Sequence, residues 1–210
     1  MAGYTLYGDK GSGSFTPEAL LAEAGAQVEL VDVPLASDAQ LRADFLRINP
    51  LGRIPALVTP EGQVVTESAA ILLTIGDRHV EADLLPAPGT AERATLYRWL
   101  MFIAGNVYPA VTRMDYPARF HPDPAAAETI KATAREEMRA LWRIVETHLA
   151  PGPFALGDRF SALDVYIANL SRWGIGHDWR AAHCPRIQAL ADRVKARPAI
   201  APIWARHFEE

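Results

Sequence analysis

Two hydroxyls, Ser12 and Ser14, stand among Gly8, Gly11 and Gly13 in the stretch GDKGSGSF. Glycines let a ligand approach a backbone closely, so phosphate cradling is the first chemistry to test. A dinucleotide fingerprint needs a third glycine where Thr16 stands, and no Gly-Lys-Ser or Gly-Lys-Thr follows for a P-loop. Both fail on spacing. What remains is either a hydroxyl aimed at a reacting atom or a plain loop chosen for backbone freedom. A second candidate is RIPALV, residues 53–58. Proline has no N–H to give a sheet, so Pro55 belongs either to an ordinary trans turn before an edge strand or to a cis bond. An X-Pro peptide reaches the cis form for only about 0.5–1 kcal/mol. A third is TESAAIL, where Thr66 or Ser68 can cap a helix and Glu67 favours its dipole. Cys184 is the one cysteine, which excludes an internal disulfide, a thiolate zinc site and a CxxC redox pair.

Those residues need a frame. YTLYGD reads as a strand that stops at Gly8 and Asp9, and SFTPEALLAEAG as a helix with Ser14 or Thr16 as N-cap, Pro17 in its first turn and Gly25 ending it. VELVDV is a nearly continuous apolar strand, so the three elements suggest a parallel βαβ unit. DAQLRADFLRINP reads as a second helix stopped before Pro50. PALVT and QVVTE flank the turn PEG, with a positive φ expected at the glycine, and a helix over about 67–79 closes this half.

Beyond EADLLPAPGT, residues 81–90, no convincing strand occurs. The apolar period predicts a long helix over 91–118 kinked at Pro109, and another from Asp123 and Pro124 to about Leu149. Ser161 with Asp164 three residues on forms a capping-box pattern, and further helices open at Pro185 and Pro198. The reading is an α/β domain over 1–80, a linker over 81–90 and an all-helical domain over 91–210. Half of the 210 residues are apolar, and the net charge of −4 offers no basic field for nucleic acid. No uncharged apolar run reaches the roughly 18 residues of a membrane span, and the first residues lack a basic, apolar leader. The expectation is a cytoplasmic protein.

The succession NPLGRIPALV, PEGQ and TESAAIL resembles the thioredoxin-like half of cytosolic glutathione transferases. That family runs Asn-Pro, a basic residue, an apolar residue and proline, a strand pair, and Glu-Ser at a helix start. SALD in the helical half is similar to the family's capping box, so the resemblance covers nearly the whole chain in order. It implies an α/β thioredoxin-like domain plus an all-α helical-bundle domain, the glutathione transferase fold, in a bacterial, serine-type relative of the theta, zeta and beta classes. By resemblance Pro55 is cis, and the N–H and C=O of Ile54 pair with the cysteinyl backbone of glutathione as an added strand. Ser68 and its helix N-terminus take the γ-glutamyl carboxylate while Glu67 faces the ammonium. Arg53 either reaches the glycyl carboxylate or is a solvated surface charge.

The family's catalytic side chain lies in the loop before the first helix. Ser12 matches the theta-like serine, and the zeta-like loop pairs Ser12 with its serine and Ser14 with its cysteine. The catalytic candidates are therefore Ser12 and Ser14, with Tyr7 as the alternative donor. The beta-class cysteine aligns with Gly13 and the zeta arginine near Thr16 or Pro17 is missing. Disulfide reductase chemistry and maleylacetoacetate isomerisation are thereby disfavoured. The implied electrophile pocket, between the two halves, draws on Asn106, Tyr108 and Trp173. The implied function is conjugation of glutathione, a co-substrate, to a small hydrophobic electrophile by a homodimer without a metal. The alternatives are a non-catalytic carrier of the same fold or a glutathione-dependent isomerase.

Overall fold

The computed structural model describes residues 3–209 and divides into two units, Met1–Leu85 with Val194–Glu210, and Pro86–Arg193. In the first, β1 (Tyr4–Gly8) is followed by α1 (Phe15–Glu23) and β2 (Val28–Asp32), which pairs parallel to β1 with Tyr4 opposite Val28. This is the expected βαβ unit. β3 (Ala56–Val58) and β4 (Val64–Val65) complete a mixed sheet of order β2-β1-β3-β4. The PEG turn joins them, with Gly62 at φ 86° and its N–H donating to the Thr59 carbonyl at 2.8 Å. α3 (Ser68–Arg78) closes this part of the chain.

Alternation decides the strand faces. Tyr4 and Leu6 are buried together with Leu57, α1 residues Phe15, Leu20 and Leu21, and α3 residues Ile71, Leu72 and Ile75. Burying each large apolar side chain stabilises by about 1.5–3 kcal/mol. On the other face, Tyr7, Ile48 and Ile54 pack against Val33, Ala39, Phe45 and Ala56. The helix expected over DAQLRADFLRINP is instead one 3-10 turn, Ala39–Leu41, and one short helix, α2 (Ala43–Leu46). Arg42 between them is extended, φ −73° and ψ 148°, which no continuous helix accommodates.

The second unit holds α4 (Ala91–Phe102), α5 (Tyr108–Asp115), α6 (Ala127–His148), α7 (Ala162–Leu170) and α8 (His177–His183). α9 (Pro185–Lys195) opens at Pro185 as expected. The long helix expected over 91–118 is helical over residues 91–115, and ahead of Pro109 it widens into one π-turn, Ile103–Val107, that joins α4 to α5, with the Tyr108 N–H donating to Ile103, five residues back. That pattern makes room for a proline ring that would clash with the carbonyl four residues earlier. α7 is buried along its whole length because ALDVYIANL is apolar on nearly every side. Its capping box is present, as Ser161 and Asp164 led one to expect.

The final helix, α10 (Ala201–Phe208), opens three residues after Pro198, where Pro198–Ile200 form a turn and Pro202 enters the first helical turn instead. Although its residues read as part of a helical half, they group with the sheet-bearing unit. Phe15 of α1 explains this, since its ring lies 5.4 Å from Trp204, 5.5 Å from His207 and 5.0 Å from Phe208. Arg197 adds paired bonds to Glu23, both at 2.7 Å. Among the described residues no helix is long and apolar enough to cross a membrane.

Candidate functional site

Strand register brings three separate stretches to one end of the sheet. β1 ends at Gly8, Ala56 at the start of β3 lies opposite Tyr7, and Val65 at the end of β4 lies opposite Leu57. The loop after β1, Ile54-Pro55 before β3, and Glu67-Ser68 after β4 therefore share that end.

The loop is built around one carbonyl. The Asp9 C=O accepts the Ser12 hydroxyl at 2.7 Å, the Ser14 hydroxyl at 2.9 Å and the Ser12 N–H at 3.3 Å. Ser12 Oγ and Ser14 Oγ are 2.9 Å apart, and the Ser14 N–H donates to Ser12 Oγ at 3.2 Å. Ser14 Oγ also accepts the Asp9 N–H at 3.2 Å. A Cβ at Gly8 would stand 2.3 Å from that of Ser14, so the glycine lets the loop fold back this tightly. The Asp9 carboxylate accepts the N–H groups of Lys10 and Leu35, which ties the loop to the end of β2. Ser14 occupies the N-cap place of α1 without capping it, because its hydroxyl is committed to the Asp9 main chain. Ser12 and Ser14 are held alike: each hydroxyl donates to the Asp9 carbonyl and accepts one main-chain N–H, and when either turns away the carbonyl keeps the other hydroxyl and the Ser12 N–H as partners.

Ile54-Pro55 is cis. The preceding turn is held by buried Asn49, whose Nδ2 donates to the Arg53 carbonyl at 2.7 Å and whose Oδ1 accepts the Leu51 N–H at 3.1 Å. Among the described residues no hydrogen bond occupies the Ile54 N–H or C=O. The Arg53 side chain is exposed. Glu67 adopts φ 64°, ψ 111°, a rare backbone state for a residue with a Cβ. It is exposed, its carbonyl accepts the Ile71 N–H at 2.9 Å, and its side chain does not cap α3. The first N–H groups of a helix have no partner within it, and here they follow directly on an available carboxylate. Ser68, half-buried, is the first residue of α3.

The other candidates have different surroundings. The Tyr7 ring packs 5.9 Å from Phe45 within the apolar cluster. Within the second unit Tyr108 and Trp173 are brought together, ring centroids 5.8 Å apart and nearly perpendicular. Asn106 is not part of that pair: it is exposed, and its Nδ2 donates to the Phe102 carbonyl at 2.9 Å. Cys184 is buried, and burial first, then the Glu146 carboxylate, pushes its thiol up to about 11, so it is no thiolate at neutral pH. Among the described residues no group of three His, Cys, Asp or Glu could hold a metal ion.

Sequence reasoning missed Asp9, whose carbonyl gathers the hydroxyls, Asn49, which holds the turn, and His207, whose Nδ1 accepts the Gly11 N–H at 3.2 Å. For Asn49 the Asn-Pro dipeptide was a signal. For a contact spanning residues 11 and 207 there was none. What the sheet end offers chemically is a main-chain edge for an extended peptide, a carboxylate beside a helix N-terminus for an amino-acid head, and buried hydroxyls in the loop after β1.

The glutathione S-transferase N-terminal domain matches residues 2–76, and the glutathione S-transferase C-terminal domain matches residues 123–193. The chain is similar to an uncharacterized GST-like protein, YncG, of Escherichia coli K12, 34% identical and covering 96% of this chain and 97% of that one. It is 26% identical to the glutathione S-transferase GstA of Escherichia coli O157:H7, over 93% and 94% of the two chains. Among solved structures, a glutathione transferase homologue from sulfitobacter with bound glutathione matches with a TM-score of 0.90 and 28% identity, covering 97% of each chain. Sheet, helices and sequence agree: the chain belongs to the glutathione S-transferase family.

Proposed function

We propose that the protein binds glutathione at this end of the sheet and conjugates its sulfur to a small hydrophobic electrophile. The observation that carries the reading is the Ile54 main-chain pair, left without an internal partner beside a buried hydroxyl loop. A tripeptide added there as a short strand is held by main-chain bonds. Its γ-glutamyl carboxylate goes to Ser68 and the start of α3, and its ammonium to Glu67. Ser12 donates to the sulfur. A free thiol near pKa 8.5 is mostly protonated at neutral pH, and lowering it by about 2 units stabilises the thiolate by roughly 2.7 kcal/mol. The thiol proton leaves to solvent, the sulfur pair forms the new bond to carbon, and the electrophile's leaving group departs with the electrons of the bond it breaks. The reading includes pairing with a second copy of the chain, which light scattering would measure.

A carrier without turnover is the second reading, favoured by the 2.7 Å bond that already engages the Ser12 hydroxyl with Asp9. Conjugation of glutathione to 1-chloro-2,4-dinitrobenzene by the protein and by Ser12→Ala separates the two. Turnover that collapses in S12A with glutathione binding retained supports the transferase. Binding with no turnover across a panel of electrophiles supports the carrier.

A further inference from the structure

The donor loop is braced by the far end of the chain. Gly11, adjacent to Ser12, has φ 70° and donates its N–H to Nδ1 of His207 at 3.2 Å. An N–H can donate only to an unprotonated ring nitrogen, so the neutral ring carries its proton on Nε2. That Nε2 lies 3.0 Å from Glu18 Oε2, and the other oxygen of Glu18 pairs with Arg206. Glu18 and His207 are both buried, at 6% and 8% exposure, so neither interaction is a solvated surface contact. The line runs from Arg206 through Glu18 and His207 to the Gly11 N–H. Each member has a defined direction, because Glu18 holds the His207 proton on the side away from the loop.

We infer that His207 is a positioning residue for the glutathione-activating loop: by accepting the Gly11 N–H it fixes the backbone from which the Ser12 hydroxyl is aimed at sulfur. The inference rests on the reading of Ser12 as thiolate donor. The groups facing His207 are Glu18 and Phe15 on α1, Arg206 and Phe208 on α10, and Asp9 and Lys10 on the loop. Burial first, then Arg206 and Lys10, hold the ring neutral, its pKa lowered to about 4, so the acceptor persists wherever glutathione is activated. Loss of the acceptor leaves the Gly11 N–H unpaired and the loop with one anchor fewer. Substrate holding, which belongs to Ile54, Glu67 and Ser68, is untouched.

Two substitutions separate the two bonds. In His207→Gln the side-chain amide reaches the place of Nε2 and can donate to Glu18, but nothing replaces Nδ1. In His207→Asn an oxygen can stand near Nδ1 and accept from Gly11, while the Glu18 bond is lost. H207Q is expected to lower kcat about five- to tenfold, the scale of one hydrogen bond, with KM for glutathione unchanged. It also raises the pKa of the bound glutathione thiol, read by ultraviolet thiolate absorbance, and speeds exchange of the Gly11 amide. H207N retains more of all three. A folded H207Q with wild-type kcat, thiol pKa and Gly11 exchange overturns the inference. If S12A leaves the thiol pKa alone while H207Q raises it, the Ser12 reading falls and the role of His207 in the loop stands. The reverse result removes His207 alone, and no effect of either removes both. The wild-type protein gives a test that needs no variant: nitrogen chemical shifts must show the Nε2–H tautomer at neutral pH, and the Nδ1–H tautomer overturns the inference.

Discussion

Two of the described helices, α1 and α7, have serine at the N-cap place, and they use it in opposite ways. At α7, Ser161 and Asp164 close a capping box, and the Asp164 carboxylate takes N–H donors from Ala155 and Ser161, each at 2.7 Å, and the Ser161 hydroxyl at 2.9 Å. Every member is buried and its partners are fixed. At α1, Ser14 holds the N-cap place yet leaves the helix uncapped, and its hydroxyl goes with that of Ser12 to the Asp9 carbonyl. One helix start is closed by its own side chains and serves the fold. The other shares three donors on one carbonyl, so one of them can turn to a ligand while the carbonyl stays satisfied. A serine at a helix start is therefore read by what its hydroxyl touches and not by its place in the sequence.

Breaking the closed start has the largest expected effect. Asp164→Ala strands two buried N–H groups and a hydroxyl, and should destabilise by about 3 kcal/mol or more, measured by urea unfolding followed through the fluorescence of the buried Trp142. A loss under about 1 kcal/mol would mean the carboxylate is dispensable. Ser12→Ala should do the converse: conjugation falls ten- to hundredfold, the range spanned by about 1.4–2.7 kcal/mol, while the unfolding midpoint barely moves.

The two starts also differ in their response to pH. Asp164, pushed up to about 6 chiefly by burial against an ordinary 3.8, contributes stability that is full below the ordinary value and is lost as pH rises toward 6. His207, beside α1, is lowered to about 4 from 6.5, so its contribution is full above 6.5 and lost as pH falls toward 4. Each is on the order of 3 kcal/mol, with opposite sign across overlapping windows. H207Q should flatten the acid-side loss of stability, and Asp164→Asn should steepen it, in unfolding midpoints taken between those limits. Matching slopes in the two variants would show that these groups do not govern the window. The smallest change is Ser161→Ala, a lost cap of about 1 kcal/mol, and its conjugation rate should equal that of the wild type.

Much of the frame was legible because it depends on local rules. The βαβ unit, the PEG turn, the proline at Pro185 and the SALD capping box follow from alternation, turn residues and cap spacing, which neighbouring residues decide. The chain end of α10 was not legible, since a helical face announces that it packs but not on what, and Phe15 and Trp204 find each other across 189 positions of sequence. Nor was the wide turn before Pro109, because proline predicts disruption but not whether the chain bends or widens. At the site, the resemblance set Ser12 on the family's catalytic serine, with Ser14 beside it and Tyr7 as the alternative donor. The bonds to Asp9 do not separate the two serines, since each hydroxyl donates to that carbonyl and accepts one N–H. Glu67 was named for its charge, whereas its positive φ is invisible in a sequence because no glycine marks it.

The central claim is that the Ser12 hydroxyl stabilises a glutathione thiolate at the end of the sheet. The most direct measurement is a pH titration of the thiolate absorbance of glutathione bound to the protein and to S12A. The account predicts a thiol pKa well below the free value of about 8.5 in the wild type, returning most of the way in S12A with the peptide still bound. Equal pKa values in the two proteins, or a wild-type value no lower than that of free glutathione, would contradict it.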